Sequence, residues 1–276
     1  MLSEEILICP KCHQKLKKSG KSFFCENNHC YDIAKNNYVN LLLCNKKKSK
    51  FPGDDKTMIA ARNNFLKKGY FENLRRTIED IVDNEKPTYI LDAGCGTGYY
   101  SHNLEQKYNI VAIDISKEAI HFTAKNNKNL LSIISSMYEL PIKDNSIDLI
   151  LNIFAPKPKE EFKRVLKNNG VVVEVVPGKD HLKELKKIMF GNEAVFNKEK
   201  FAFSDFKIKS SQKLIYLVNI AENEDVINLI RMTPYYYTGG RKKEDLLNQV
   251  KSINVTFDFI INVLEKIWYY QNLHIL

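Results

Sequence analysis

The stretch from Tyr89 to Asp114 constrains the fold more than any other. Tyr89-Ile90-Leu91 is a short apolar run that passes into Asp92-Ala93-Gly94-Cys95-Gly96-Thr97-Gly98. Helix-compatible residues follow, and then Ile110-Val111-Ala112-Ile113-Asp114, a second apolar run ending in an acid. Glycines after a strand let the backbone approach a ligand where a side chain would clash. A helix after the loop would present its N-terminus to that ligand, and an acid at the tip of the second strand can accept both hydroxyls of a ribose. The order strand, glycine loop, helix, strand, acid is far more specific than a glycine-rich loop alone. Gly94, Gly96 and Gly98 are spaced G-x-G-x-G, whereas dinucleotide folds prefer G-x-G-x-x-G; a P-loop G-x-x-x-x-G-K-[ST] is absent.

The alternation continues to residue 176. Leu130–Ile134 and Ile147–Ile153 read as strands, the second apolar enough for a strand covered on both faces. Glu160–Lys167 reads as an amphipathic helix, and Asn168-Asn169-Gly170 as a turn into Val171–Val176. The expected fold class is α/β, a parallel sheet clad by helices. Upstream, Met58–Lys68 and Phe71–Val82 read as helices separated by Gly69.

The first 44 residues differ in kind. They hold Cys9, Cys12, Cys25, Cys30 and Cys44, five of the six cysteines. Residues 1–68 carry 14 Lys and Arg against 6 Asp and Glu, while the remainder carries 28 against 27. The surplus of a chain with net charge +9 is therefore concentrated at one end. That distribution suits either solubility or a polyanionic partner. Cys9-Pro-Lys-Cys12, Cys25 and His29 form C-x2-C-x12-C-x3-H, the spacing of a zinc ribbon, with Ser19-Gly20-Lys21 as a hairpin turn between the two halves. His29 and Cys30 compete for the fourth ligand position, with His13 a weaker third. Four protein ligands would leave no open position on the metal, making the site structural, and the metal would stabilise a module too small to bury much apolar surface. Cys44 and Cys95 lack paired neighbours and read as core thiols. Beyond the module, Lys46–Lys50 is a basic run and Pro52-Gly53 a turn.

No stretch approaches the ~18 apolar residues of a membrane span, and Met1-Leu2-Ser3-Glu4-Glu5 lacks an apolar leader core. The expectation is a cytoplasmic protein with no membrane role.

Asp92-Ala93-Gly94-Cys95-Gly96-Thr97-Gly98 resembles motif I of class I S-adenosylmethionine (SAM) methyltransferases. The whole chain is similar to the 23S rRNA (guanine-N1)-methyltransferase family. The resemblance is carried by the Cys-Pro-x-Cys module, Tyr31–Lys35, Tyr38–Leu42, Pro52-Gly53-Asp54, Arg62, Phe65, Gly98-Tyr99-Tyr100, Phe154-Ala155-Pro156, Pro177-Gly178 with His181-Leu182, and Met232-Thr233-Pro234. It implies a Rossmann-like methyltransferase sheet with a small zinc-ribbon-like domain, and methyl transfer from SAM to N1 of a guanine in a 23S rRNA hairpin. It also implies a homodimer. The expected division is residues 1–45 as a zinc-binding RNA-recognition module, 46–86 as a basic linker with helices, and 87–276 as the methyltransferase domain.

By the same resemblance zinc falls on Cys9, Cys12, Cys25 and His29. The cofactor falls on Phe71, Asp92, Gly94, Gly96, Gly98, Tyr99, Asp114, Met137 and His181, with Asp92 near the methionine amino group, Asp114 on the ribose and Met137 in the adenine segment. Family members often carry Tyr where this chain has Phe71, so a hydroxyl contact is absent here. Asp54 is a weak candidate for removing the N1 proton, its plainer role being to cap the next helix. Phe154 and Tyr235 are candidates for stacking on the target base. The rival classes are a SAM-dependent small-molecule methyltransferase with a structural zinc module, and a non-enzymatic zinc RNA-binding protein.

Overall fold

In the centre of the molecule, β5 (Tyr89–Ala93) lies between β6 (Asn109–Asp114) and β8 (Ile147–Ile153), parallel to both. Alternate residues leave this layer in opposite directions, as the two-residue period of a strand requires. Ile90, Ile110, Ala112 and Leu149 enter one apolar cluster; Leu91, Ala93, Val111, Ile113 and Ile150 enter the other. All nine are fully buried, so both faces are covered and the strands read as continuous apolar runs.

The computed structural model describes residues 2–43, 53–191, 205–236 and 244–267. Cys44, the Lys46–Lys50 run and Pro52 lie outside the described residues. Three short strands, β1 (Lys17–Ser19), β2 (Ser22–Phe24) and β3 (Cys30–Asp32), make a small antiparallel sheet. The large sheet adds β4 (Tyr38–Asn40), β7 (Leu131–Ile134), β9 (Leu166–Pro177), β10 (Phe206–Ile220) and β11 (Ile253–Lys266), in the order β10-β11-β9-β8-β5-β6-β7-β4. The helices are α1 (Lys56–Lys67), α2 (Glu72–Glu85), α3 (Lys117–Asn126), α4 (Lys159–Val165), α5 (Lys183–Phe190), α6 (Asn223–Arg231) and α7 (Glu244–Asn248). None of the described helices is long and apolar enough to cross a membrane.

Four expectations change. The sheet is mixed, because β11 runs antiparallel to both β9 and β10. Asn168-Asn169-Gly170 lies inside the twelve-residue β9, where a Cβ on Gly170 would meet Leu166 at 2.8 Å and two backbone carbonyls at 3.1 Å. Glycine there answers a close approach within the sheet. After Gly98 the chain forms turns and one short 3-10 turn, Leu104–Gln106, in place of an α-helix. Tyr, Ser, His and Asn are weak helix formers, and the Ser101 hydroxyl bonds Asp92 and the Gly98 carbonyl. The N-cap of α1 is Asp55, whose side chain accepts the Met58 N–H, so Asp54 does not have the capping role.

The N-terminal module is not left to a metal for its stability. Leu7, Leu16, Phe23 and Val39 share one apolar cluster with Leu91, Val111, Ile150 and Phe162 of the large sheet and α4. Each such buried side chain contributes about 1.5–3 kcal/mol. β4 extends the large sheet in parallel beside β7, and Leu7 forms an isolated antiparallel bridge with Ile142. The other face is covered by α1, α2, α5 and α6, through residues such as Phe65, Leu74, Leu185 and Leu229.

Candidate active site and metal centre

Two ligand loops in the N-terminal module bring four side chains together. After Cys9, the His13 N–H returns to the Cys9 carbonyl and the Cys9 N–H bonds the Gln14 carbonyl, closing a tight turn. His13 itself takes φ +60° at that corner; it shapes the turn and stands outside the cluster. The second turn runs from Cys25 to His29, with Asn28 at φ +59°. The thiols of Cys9, Cys12 and Cys25 and the imidazole of His29 then lie within 4.8 Å of one another. The separations are 3.6 Å for Cys12 to Cys25, 3.3 Å for Cys25 to His29 Nδ1 and 3.5 Å for Cys9 to His29 Nδ1. Zn–S and Zn–N bonds of about 2.3 and 2.05 Å in a tetrahedron require edges of about 3.6–3.8 Å. The donor set and its spacing fit zinc. The Tyr31 hydroxyl stands 3.1 Å from Cys9 Sγ, placed to donate to a thiolate, as outer partners of metal ligands do. Cys30 is exposed and its thiol faces Asp32.

At the carboxyl ends of β5, β6 and β8, a cavity of about 640 Å³ opens. Ligands bind at this edge in open α/β sheets. Gly94, Gly96 and Gly98 all have positive φ. A Cβ on Gly94 would stand 2.8 Å from Ala155, and one on Gly98 2.8 Å from Thr123. Only glycine keeps this loop low enough to leave a cradle. The N–H groups of Gly94 and Cys95 bond the Ile113 carbonyl, tying the loop to β6. Asp114 accepts the Gly96 N–H through one oxygen and the Ser116 N–H through the other. The absent helix leaves the loop's own backbone and these acids to meet a ligand.

Asp92 is nearly inaccessible and accepts the Ser101 hydroxyl at 2.7 Å. Burial raises its carboxyl to about 7, against the Ser101 hydrogen bond and with a smaller push from Asp114. Burial also raises Asp114. A buried acid and a half-buried one beside a glycine cradle fit a ligand that brings a cationic amino group and a ribose diol. Met137 borders the cradle, its Sδ and Cε 3.6 Å from where a Gly94 Cβ would be. Phe71 and Tyr99 line the cavity. The Phe71 ring meets Phe257 and Phe259 edge-on at 4.9 and 5.2 Å, so ring packing holds it without a hydroxyl. Tyr99 OH has no partner among the described residues, and the Arg75 guanidinium lies 5.3 Å from the Tyr99 ring centroid.

Asp54 lines the cavity but stands at its Asp114 end. Its carboxylate pairs with Arg62, and its carbonyl accepts the Ser116 hydroxyl, from the residue whose N–H bonds Asp114. Arg62 also donates to the Met232 carbonyl, joining the segment before α1 to the one after α6 across the cavity. Phe154 follows β8 with φ +53°, a strained conformation for an aromatic residue, and is 45% exposed. Tyr235 lines the same cavity; Lys186 Nζ lies 5.2 Å from its ring centroid. His181 lines it too, buried among aromatic rings. Of the residues that complete the site, Ser101, Ser116 and Asp258 carry no sequence motif: Ser101 reaches back nine residues to Asp92, whereas Ser116 meets Asp54 and Asp258 meets Asp180 from far along the chain.

A methyltransferase domain profile matches residues 84–225, and a zinc-ribbon profile described as the RlmA N-terminal region matches residues 7–50. A putative 23S rRNA (guanine-N(1)-)-methyltransferase of Bacillus subtilis, YxjB, is 29% identical over 91% of this chain and 93% of its own. The 23S rRNA (guanine(748)-N(1))-methyltransferase of Streptomyces fradiae is 32% identical over 65% of this chain and 66% of its own. A putative 23S rRNA (guanine-N(1)-)-methyltransferase of Micromonospora griseorubida is 30% identical, with coverages of 65% and 68%. The methyltransferase match brings SAM as the cofactor, and the ribbon match together with the Cys/His cluster brings zinc. A zinc ribbon built into the sheet of a class I methyltransferase, in a chain with these relatives, makes this protein a member of the 23S rRNA (guanine-N1)-methyltransferase family.

Proposed function

We propose that the protein transfers the methyl group of SAM to N1 of a guanine in a 23S rRNA hairpin. One observation carries the reading beyond the family match: β4 of the zinc module is a strand of the same sheet whose edge bears the cofactor cavity. β4 pairs with β7, β7 with β6, and β6 ends in Asp114. RNA held by the module is held in fixed relation to the cavity. Lys11, Lys15, Lys17, Lys18, Lys21 and Lys35 are all exposed on that module, where they can meet phosphates. The functional division is residues 1–45 for RNA recognition, 46–86 for the basic linker and its helices, and 87–276 for methyl transfer, in a cytoplasmic homodimer.

SAM, when bound, supplies a methyl group already activated on a sulfonium. The chain's task is chiefly to position and to exclude water. Asp114 is assigned to the ribose hydroxyls and Asp92 to the amino group, whose positive charge would favour the ionised acid. Gly94, Gly96 and Gly98 form the cradle, with Met137 at the adenine and Phe71 and Tyr99 along the wall. Phe154 and Tyr235 are assigned to the target base, which must leave its stack to enter. Asp54, held by Arg62 at the ribose end, is better placed to close the cavity than to reach N1.

Primer extension on rRNA from cells with and without the gene tests the reading, because N1-methylguanine stops the polymerase. A stop that disappears with the gene names the nucleotide; unchanged stops refute the assignment. With purified protein, salt-sensitive binding of the hairpin separates this function from small-molecule methylation, and calorimetry with SAM separates it from RNA binding without catalysis.

A further inference from the structure

We propose that the Tyr138 ring is a stacking platform for a nucleobase of the RNA, that of a nucleotide next to the target guanine, at the seam between the zinc module and the cofactor cavity. The inference rests on the guanine-N1 reading and adds to it a contact outside the cofactor site.

The turn after β7 carries Ser136, Met137 and Tyr138, and all three border the cavity. Met137 takes the inner place. Its thioether and Ala155 converge on Gly94, 3.6 and 2.8 Å from where a Cβ would stand. The chain neighbours of these two residues, Tyr138 and Phe154, are aromatic, 64% and 45% exposed, and both line the cavity. Among the described residues the one other exposed aromatic side chain is Phe24, on β2 of the zinc module beside the ligand Cys25. A single exposed ring is ordinary on a protein surface. Here the three fall on the module and on the rim of the cavity, the two places an RNA substrate must touch.

The turn is held firmly, and it lies at the junction of the two parts. The Tyr138 N–H bonds the Ser136 hydroxyl at 3.2 Å. Two residues on, the Leu140 N–H donates to Glu161 at 2.6 Å and the Leu140 carbonyl accepts Arg164 at 2.9 Å, both from α4. Then the stitching to the zinc module begins. The Pro141 carbonyl accepts the Ile8 N–H, Leu7 bridges Ile142, and the Lys143 N–H donates to the Ile6 carbonyl. Cys9 follows Ile8 directly, so the segment that leads into the first zinc ligand is fastened three residues beyond Tyr138.

The chemistry of the turn selects the ligand. Ser136 and Glu139, the polar residues beside the ring, bring no positive charge. Lys157 borders the same cavity, but its ammonium is held by the buried Glu174 at 2.7 Å. The rim here offers a ring face and not a phosphate contact. A ring face takes any base, because every base has a π-face. Unpaired bases splayed from a loop are the form in which RNA meets such rings. The target guanine must leave its stack before N1, on its pairing edge, can meet the methyl group. Its departure leaves the adjacent base bare on one side. Tyr138, on the rim that the target crosses and on the side of the zinc module, is placed to cover that face. The contact holds the RNA in its opened form and leaves the cradle at Gly94 to the cofactor.

The probe is the 23S rRNA hairpin that carries the gene-dependent primer-extension stop, offered to the wild type, Tyr138→Ala, Tyr138→Phe and Tyr138→Trp. Tyr138→Ala is expected to weaken hairpin binding about tenfold. Its calorimetric SAM affinity and its single-turnover rate at saturating hairpin stay within about threefold of wild type, as for a contact made to RNA alone. Tyr138→Phe and Tyr138→Trp bind the hairpin within about threefold of wild type, because the ring face and not the hydroxyl makes the contact. Abasic substitution on either side of the target then locates the partner. At one of the two positions the missing base weakens wild-type binding about tenfold and leaves Tyr138→Ala no weaker than on the intact hairpin. The proposal is overturned if SAM affinity falls in step with hairpin affinity, which makes the ring a cofactor wall. It is overturned equally if Tyr138→Ala binds the hairpin as the wild type does, or if loss of the ring and loss of the base are additive at both positions. An absent stop, with a protein that still binds SAM, overturns the guanine reading itself and the proposal with it.

Discussion

Val39 of the zinc module lies in parallel register with Ile133 of the methyltransferase sheet. Both side chains are buried in one cluster with Phe23 and Leu91. The module is thus a lateral extension of the catalytic sheet, and damage to its metal centre should be felt at the cofactor cavity two strands away.

Replacing Cys9 or Cys25 by Ser should remove one zinc per chain and lower the melting temperature by about 5 °C or more, a structural ligand loss of several kcal/mol spread over a chain of this size. SAM affinity should fall with it. Cys30→Ser should keep its zinc, since that thiol is exposed and turned toward Asp32. Elemental analysis paired with thermal melts decides the matter.

Gly94→Ala should abolish detectable cofactor binding while the protein still folds. The new methyl group would meet Ala155 at 2.8 Å at a residue whose φ is +80°, and the strain should cost about 1–3 kcal/mol. Calorimetry with SAM, beside circular dichroism, reads the two effects separately.

Asp92 sets a pH dependence of known sign. Its carboxyl holds a proton up to about 7 in the fold but only to about 4 when unfolded. The native state therefore binds more protons between these values, and stability falls as pH rises through that window. From pH 5.5 to 8 the cofactor-free protein should lose on the order of 2 kcal/mol relative to Asp92→Asn, about 4–8 °C in melting temperature. Saturating SAM should reduce the difference. Parallel melting curves of the two proteins would expose an equal slope, which counts against the assignment.

Asp54→Asn should lower the rate of methyl transfer by less than tenfold, whereas loss of a general base costs 10²–10⁴. Arg62→Ala should instead speed SAM release, because the guanidinium joins Asp54 to the Met232 carbonyl. Stopped-flow dissociation and single-turnover rates distinguish the two.

The parts legible in the sequence are those encoded locally. Gly94, Gly96 and Gly98 answer to backbone geometry within a few residues, and Cys9, Cys12, Cys25 and His29 to the bite of a single ion. The hidden parts depend on distant partners. Nothing around Tyr38–Asn40 shows that it pairs with residues 132–134. Asp258, in Phe257-Asp258-Phe259, looks like a polar interruption of a strand until the turn at Gly178 is laid upon it. Asp54 and Asp55 are adjacent acids before a helix, and only the geometry assigns the cap to the second. The place of Tyr99 to Tyr108 in the motif predicts a helix, but Ser101 is engaged by Asp92.

The seat of β4 also sets an order of assembly. The Cys/His cluster is complete within the first 29 residues and can capture its ion as soon as they leave the ribosome. Its docking strand, however, pairs with residues 132–134, roughly ninety residues later, about 5–20 s of synthesis. For that interval Val39 and Leu41 have no catalytic sheet to rest on, and the metal alone keeps the nascent module in shape. Zinc starvation during translation should therefore harm the yield of this protein more than chelation of the finished fold.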